Sequence, residues 1–149
     1  MKVLFVIPAY NEEENIEKVL KEIKMDVKHA DILVINDCSK DNTKQIVLKN
    51  GVNCITMPFN VRYAMAVQTG IKYAYENDYD YVIQFDADGQ HIASEAEKLY
   101  KKAIETDSDI VIGSRYLKDM GYPCPFFRRI GTKIFEIIIK IFCKKRIAD

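Results

Sequence analysis

The stretch Tyr81 to His91, YVIQFDADGQH, places two carboxylates, Asp86 and Asp88, directly after an apolar and aromatic run. Carboxylates are costly to desolvate, so a pair at the end of a buried strand calls for a reason. At i and i+2 of a turning chain, both groups reach one region. Hard oxygen ligands of this kind suit Mg²⁺ or Mn²⁺, which bridge carboxylates to phosphate oxygens. A metal held there would neutralise a diphosphate leaving group as its bond breaks. Gly89 permits the tight turn, and Gln90 offers a further side-chain oxygen. The same residues also suit a plain solvated turn, since Asp and Gly are common turn formers.

Other polar clusters follow other apolar runs. Asn36-Asp37 precedes Ser39 and Asp41. Asp37 can accept hydrogen bonds from a base or a ribose, while Ser39 or Asp41 can cap the next helix. Pro8-Ala9-Tyr10-Asn11-Glu12 stops the first run. Tyr10 offers a face for base stacking. Glu12 either holds a base edge or sits in a first helical turn, where the dipole favours an acid. Arg115 follows Gly113-Ser114, and Arg128-Arg129 opens the last helical pattern. Arginine suits bidentate phosphate recognition, against the alternatives of a surface ion pair or a solvated face. His91 is a phosphate contact or a structural side chain, and His29 has no partner context.

The elements that must position these residues alternate. KVLFVIPAY is a continuous apolar run ended by Pro8, as expected of a buried parallel strand. Glu13 to Lys24 follows helical period, with Ile16, Val19, Leu20 and Ile23 on one face. DILVIND is a second strand, Asp41 to Asn50 a helix closed by Asn50-Gly51, and NCITM a short third strand. A helix covers roughly 61–76, and DYVIQFD is the fourth strand. In SEAEKLYKKAIET, Ser94 and Glu97 have the spacing of a capping box. DIVIGSR is a fifth strand, and a last helix runs from about Phe127 to Lys145. This pattern predicts an α/β domain with a mostly parallel sheet and right-handed crossovers. Ligands of such sheets bind beyond the carboxyl ends of the strands. The loops PAYNE, NDCSKDNT, DADGQH and GSRY all fall there and build one site.

The 149 residues predict one domain with a real core. With 48% hydrophobic and 30% charged residues, the chain is of globular type, and a formal net charge of zero argues against a bulk nucleic-acid binder. Cys38, Cys54, Cys124 and Cys143 form no C-x-x-C pair, so reduced cytosolic thiols are expected rather than zinc or a disulfide framework. The amino-terminal run meets Pro8 and acids, and reads as a strand rather than a signal peptide. No apolar run reaches the roughly 18 residues of a membrane span. The final basic, apolar helix either lies in a membrane interface or packs on further parts of the fold.

Taken in order, VIPAYNEE, VINDCSKDNT, Asn60 followed by AVQTGIKYA, FDADGQH and GSRY resemble family 2 glycosyltransferases of the GT-A fold. They look most like the branch that makes polyprenyl- or dolichyl-phosphate sugars. The resemblance implies a GT-A, Rossmann-like sheet flanked by helices, with a nucleotide-sugar core over 1–126 and an amphipathic basic helix over 127–149. It implies transfer, with inversion, from a UDP- or GDP-sugar to a polyprenyl phosphate or a glycan precursor. Pro8, Ala9, Tyr10, Glu12 and Asp37 then hold base and ribose. Asp86, Ala87 and Asp88 match the D-x-D segment, with Asp88 and Gln90 nearest Mg²⁺ or Mn²⁺. Arg115 and Arg129 fall where this branch places cations for a lipid phosphate, and Asp86, Asp88 and Arg115 form the catalytic set. A cytoplasmic chain, peripheral at the membrane, is expected.

Three departures stand out. Asn36 replaces an acid. Arg62 and Ala64 replace both glycines of an Asn-x-Gly-x-Gly pattern, which alters backbone approach to the diphosphate. Asp149 matches the start of a D-x-x-S-G-[FY] segment, so a donor-binding half without much of the acceptor half is expected. The rival readings are a non-catalytic nucleotide-binding domain and a nucleotidyltransferase; PAYNEEEN lacks the Gly-rich basic loop of the latter. No G-x-G-x-x-G follows the first strand, which disfavours a dinucleotide oxidoreductase.

Overall fold

A computed structural model describes residues 1–113. Four strands and four helices alternate along them: β1 (Val3–Ala9), α1 (Ile16–Asp26), β2 (Asp31–Asn36), α2 (Thr43–Lys49), β3 (Asn53–Thr56), α3 (Arg62–Glu76), β4 (Tyr81–Gln84) and α4 (Ala93–Thr106). The strands form one sheet in the order β3-β2-β1-β4, and every pairing is parallel. The α/β expectation therefore holds.

Why β1 reads as an unbroken apolar run is visible in its packing. Alternate residues of a strand face opposite sides. Phe5, Ile7 and Ala9 pack with Ile16, Leu20, Ile23, Val47 and Phe85, while Leu4 and Val6 pack with Ala66 and Ala74 of α3. Both faces are covered, so all seven residues of β1 are buried. The outer strands β3 and β4 are only half covered. On α3, Gly70 lies so close to β1 that an added Cβ would collide with the Val6 side chain.

Pro8 does not end β1. Pairing with β2 runs on to Ala9 and Asn36, but pairing with β4 stops at Val6 and Gln84. The Val6 carbonyl accepts from Phe85 N–H, so residue 6, and with it residue 8, directs its backbone toward β4. The donor that proline lacks thus falls where β4 has already turned away.

Two expectations are corrected. Residues 109–113 of the anticipated fifth strand form no strand, and Ile110 and Ile112 are exposed. An apolar run becomes a strand only where a ladder partner exists. The capping box of α4 is not made either. The helix starts two residues earlier than a Ser94 cap implies, at Ala93, whose N–H donates to Glu22 Oε1 of α1 at 2.9 Å. Glu97 instead faces His29 at 3.6 Å and Lys101 at 3.3 Å. A carboxylate from a neighbouring helix has taken the place of the local cap. The anticipated last helix and the 126/127 boundary lie outside the described residues.

Candidate functional site

A cavity of about 550 Å³ opens at the carboxyl edge of β1, β2 and β4. The loop after β1 supplies Pro8, Ala9, Tyr10 and Glu12; the loop after β2 supplies Asp37; the segment after β4 supplies Asp86, Ala87 and Asp88. The start of α3 closes it with Asn60, Arg62, Tyr63 and Ala66. Each of the anticipated base, ribose and D-x-D residues within 1–113 therefore meets in one place. Gln90 does not line the cavity; its backbone N–H donates to Asp88 Oδ1 at 2.9 Å, and its side chain is exposed. Arg115 and Arg129 lie outside the described residues.

The first two loops are pinned to each other. Asn11 N–H donates to Ser39 Oγ, and Lys40 N–H returns a bond to Asn11 Oδ1. Glu12 N–H donates to Thr43 Oγ1, and Glu13 N–H to Asp41 Oδ2. Asp41 also accepts from Thr43 N–H and hydroxyl. Burial raises the Asp41 carboxyl, but these hydrogen bonds from Thr43 and Glu13 outweigh it and hold the pKa below the ordinary value. Asp41 is not the cap residue of α2, which is Asn42 with no side-chain cap bond, but from the position before it bonds the first residue of the helix. Asn11 and Cys38 adopt φ of 56° and 60°, left-handed backbone that the bonds across the loops hold in place. Glu12 lies before α1 rather than in its first turn, where the acid is Glu17; its carbonyl accepts from Ile16 N–H, its carboxylate from Asn15 Nδ2, and it lines the cavity.

Asp37 is 3% exposed, and its N–H donates to the Ala9 carbonyl. Its Oδ1 accepts from Val61 N–H at 2.7 Å, and its carbonyl accepts from Asn60 Nδ2 at 3.3 Å. One carboxylate at the end of β2 thereby fixes the entry to α3. Tyr10, at 44% exposure, presents its ring at the cavity without burial.

At the other end, Asp86 is half-buried and doubly held. Tyr63 donates its hydroxyl to Oδ1 at 2.6 Å, and His91 Nε2 stands 3.2 Å from Oδ2. Gln84 Nε2 donates to the same Tyr63 oxygen at 2.6 Å. Burial, and then the Asp86 carboxylate it serves, push the Tyr63 phenol well above its ordinary pKa, so it remains a donor throughout the neutral range. His91 is thus a partner of Asp86, its ring edge-on to Phe85. Asp88 is exposed, with the Gln90 N–H on one oxygen. Among the described residues no three His, Cys, Asp or Glu side chains form a ready-made metal cage. Mg²⁺-type sites use one or two carboxylates with ligand phosphates and water, so Asp88 with Asp86 remains a fitting donor pair. The sequence reading missed Tyr63. Its signal is positional only: it opens α3, whose amino end faces the carboxyl edge of a parallel sheet.

The model of the family described as glycosyl transferase family 2 matches residues 4–139. The chain is 32% identical over 148 residues to the UDP-N-acetylglucosamine–dolichyl-phosphate N-acetylglucosaminyltransferase of Methanococcus voltae, with 87% of this chain and 59% of that enzyme covered. It spans about half the length of the curated relatives it matches. Among solved structures, S. aureus TarS 1–349 in complex with UDP superposes with TM-score 0.64 at 22% identity, over 83% of this chain and 40% of that one. The glucosyl-3-phosphoglycerate synthase of Mycobacterium tuberculosis, in complex with Mn²⁺, UDP and glucosyl-3-phosphoglycerate, superposes with TM-score 0.51 at 22% identity, over 58% of this chain and 33% of that one. The shared fold is GT-A. With the motifs in order, the sheet edge built as they require and most of the chain matched, the protein belongs to glycosyltransferase family 2.

Proposed function

We propose that the cavity binds the nucleotide diphosphate of a sugar donor, UDP- or GDP-linked, and that the protein transfers the sugar with inversion to a polyprenyl phosphate or glycan precursor. The observation that carries this is that one cavity of about 550 Å³ is lined together by Tyr10, Asp37, Asp86 and Asp88. Tyr10 stacks on the base, and Asp37, already oriented by Val61 N–H, accepts from the base or ribose. Asp88 and Asp86 would hold Mg²⁺ or Mn²⁺, which supplies charge neutralisation to the departing diphosphate when bound. Tyr63 and His91 keep the Asp86 carboxylate in one orientation, and the pinned loops limit reorganisation as the donor binds. The UDP complex of TarS and the Mn²⁺–UDP complex of the mycobacterial synthase support this reading by analogy of fold.

A lipid phosphate is anionic at neutral pH and needs no strong general base, whereas a hydroxyl acceptor does. The dolichyl-phosphate enzyme of M. voltae favours the former. Arg115 and Arg129 are assigned to that phosphate, and the segment 127–149 to contact with the cytoplasmic face of a membrane. Among the described residues no helix is long and apolar enough to cross one. The test is an assay with UDP- and GDP-sugars, Mn²⁺ and a short polyprenyl phosphate. Formation of the lipid-linked sugar is expected. Donor binding with neither transfer nor donor hydrolysis would identify a non-catalytic nucleotide-binding domain instead.

A further inference from the structure

Arg62, the first residue of α3, has φ of 68°. Left-handed backbone is unfavourable for a long side chain and persists only where its surroundings impose it. Here the imposition is visible on both sides. Val61 N–H is tied to Asp37 Oδ1 at 2.7 Å, and the Tyr63 hydroxyl is tied to Asp86 Oδ1 at 2.6 Å. Arg62 is therefore held between a residue anchored to Asp37 and one anchored to Asp86, both of which line the cavity. Glycine adopts this backbone freely, so the arginine side chain needs a separate reason.

Its surroundings supply that reason. Glu12, Asp37, Asp86 and Asp88 line the cavity, and Arg62 is the one cation lining it among the described residues. The guanidinium nevertheless makes no ion pair or side-chain hydrogen bond with any described residue. An arginine kept in strained backbone beside four carboxylates, yet paired with none, is free to receive an anion from the cavity. Its planar fork of donors matches two oxygens of a phosphate group.

We infer that Arg62 is a diphosphate-binding residue, reaching the phosphates that lie between the base end at Asp37 and the carboxylate pair at Asp86 and Asp88. This rests on the nucleotide-diphosphate reading of the cavity. It adds a protein cation to the charge neutralisation of the leaving group, and makes affinity depend on the number of phosphates rather than on the base alone.

The test is calorimetric titration of the full chain and its Arg62→Gly, Arg62→Lys and Asp88→Ala variants with UDP, GDP, UMP and GMP in Mn²⁺. Arg62→Gly should weaken binding of the preferred diphosphate by about tenfold or more, since charge-assisted bonds are lost. The monophosphate should lose less, and Arg62→Lys should recover part of the affinity. The melting temperature of Arg62→Gly should equal or exceed that of the wild type, because glycine suits the backbone. Unchanged diphosphate affinity in Arg62→Gly, with wild-type binding intact and Asp88→Ala impaired, overturns this inference alone. Wild-type protein that binds neither UDP nor GDP overturns the donor reading and this inference with it.

Discussion

Asp86 and Asp88 stand two positions apart and live in different surroundings. Asp86 is gripped by Tyr63 and His91, whereas Asp88 faces solvent with a backbone N–H on one oxygen. The pair thus divides into an oriented carboxylate and an accessible one. Asp37 and the D-x-D acids were legible because acids directly after apolar strands are conspicuous. Tyr63 was not, since its role depends on which turn of α3 meets the end of β4. Replacing Tyr63 by Phe removes one hydrogen bond from Asp86, about 1 kcal/mol. Mn²⁺-dependent binding of UDP or GDP should weaken roughly fivefold, with little change in melting temperature because the side chain is half exposed. An unaltered Kd would make the contact incidental to binding.

The elements hold these residues through two joints. One is the seam between the loops after β1 and β2, centred on Asp41. Its carboxyl pKa is lowered in the folded protein, so the stability it contributes is present above its unfolded value, near 3.9, and is lost as pH falls through the folded value. Asp41→Ala should lower stability by about 1 kcal/mol at neutral pH, as loss of a hydrogen-bond acceptor does, and should flatten the acid limb of a melting-temperature profile below about pH 4. Parallel acid limbs for the two proteins would contradict the assignment. The other joint is α3 against β1, where Gly70 meets Val6. Gly70→Ala should cost about 1–3 kcal/mol by overpacking, seen as a lower denaturation midpoint in urea. Because α3 carries Arg62 and Tyr63, the variant should also weaken nucleotide binding. Strands β1 and β2 could be read from sequence because burial on both faces leaves a continuous apolar run. The start of α4 was misread because its cap, Glu22, is distant in sequence and adjacent only in space.

On the scale of the whole molecule, the order β3-β2-β1-β4 brings the ends of β1, β2 and β4 to one edge, and α3 crosses back to complete the cavity. The parallel α/β architecture was legible from alternation, and the edge that carries the site followed from it, whereas the strand order was not read from the sequence. The fifth strand was not, because pairing is a property of the partner as much as of the apolar run. The central claim is that this edge is a metal-dependent nucleotide diphosphate site. It is tested most directly by titrating UDP and GDP into the full chain with and without Mn²⁺, alongside Asp88→Ala. One of the two nucleotides is expected to bind, Mn²⁺ to strengthen it by about tenfold or more, and Asp88→Ala to remove this metal-dependent gain. Binding of neither nucleotide, or a metal-dependent gain that survives Asp88→Ala, would contradict it.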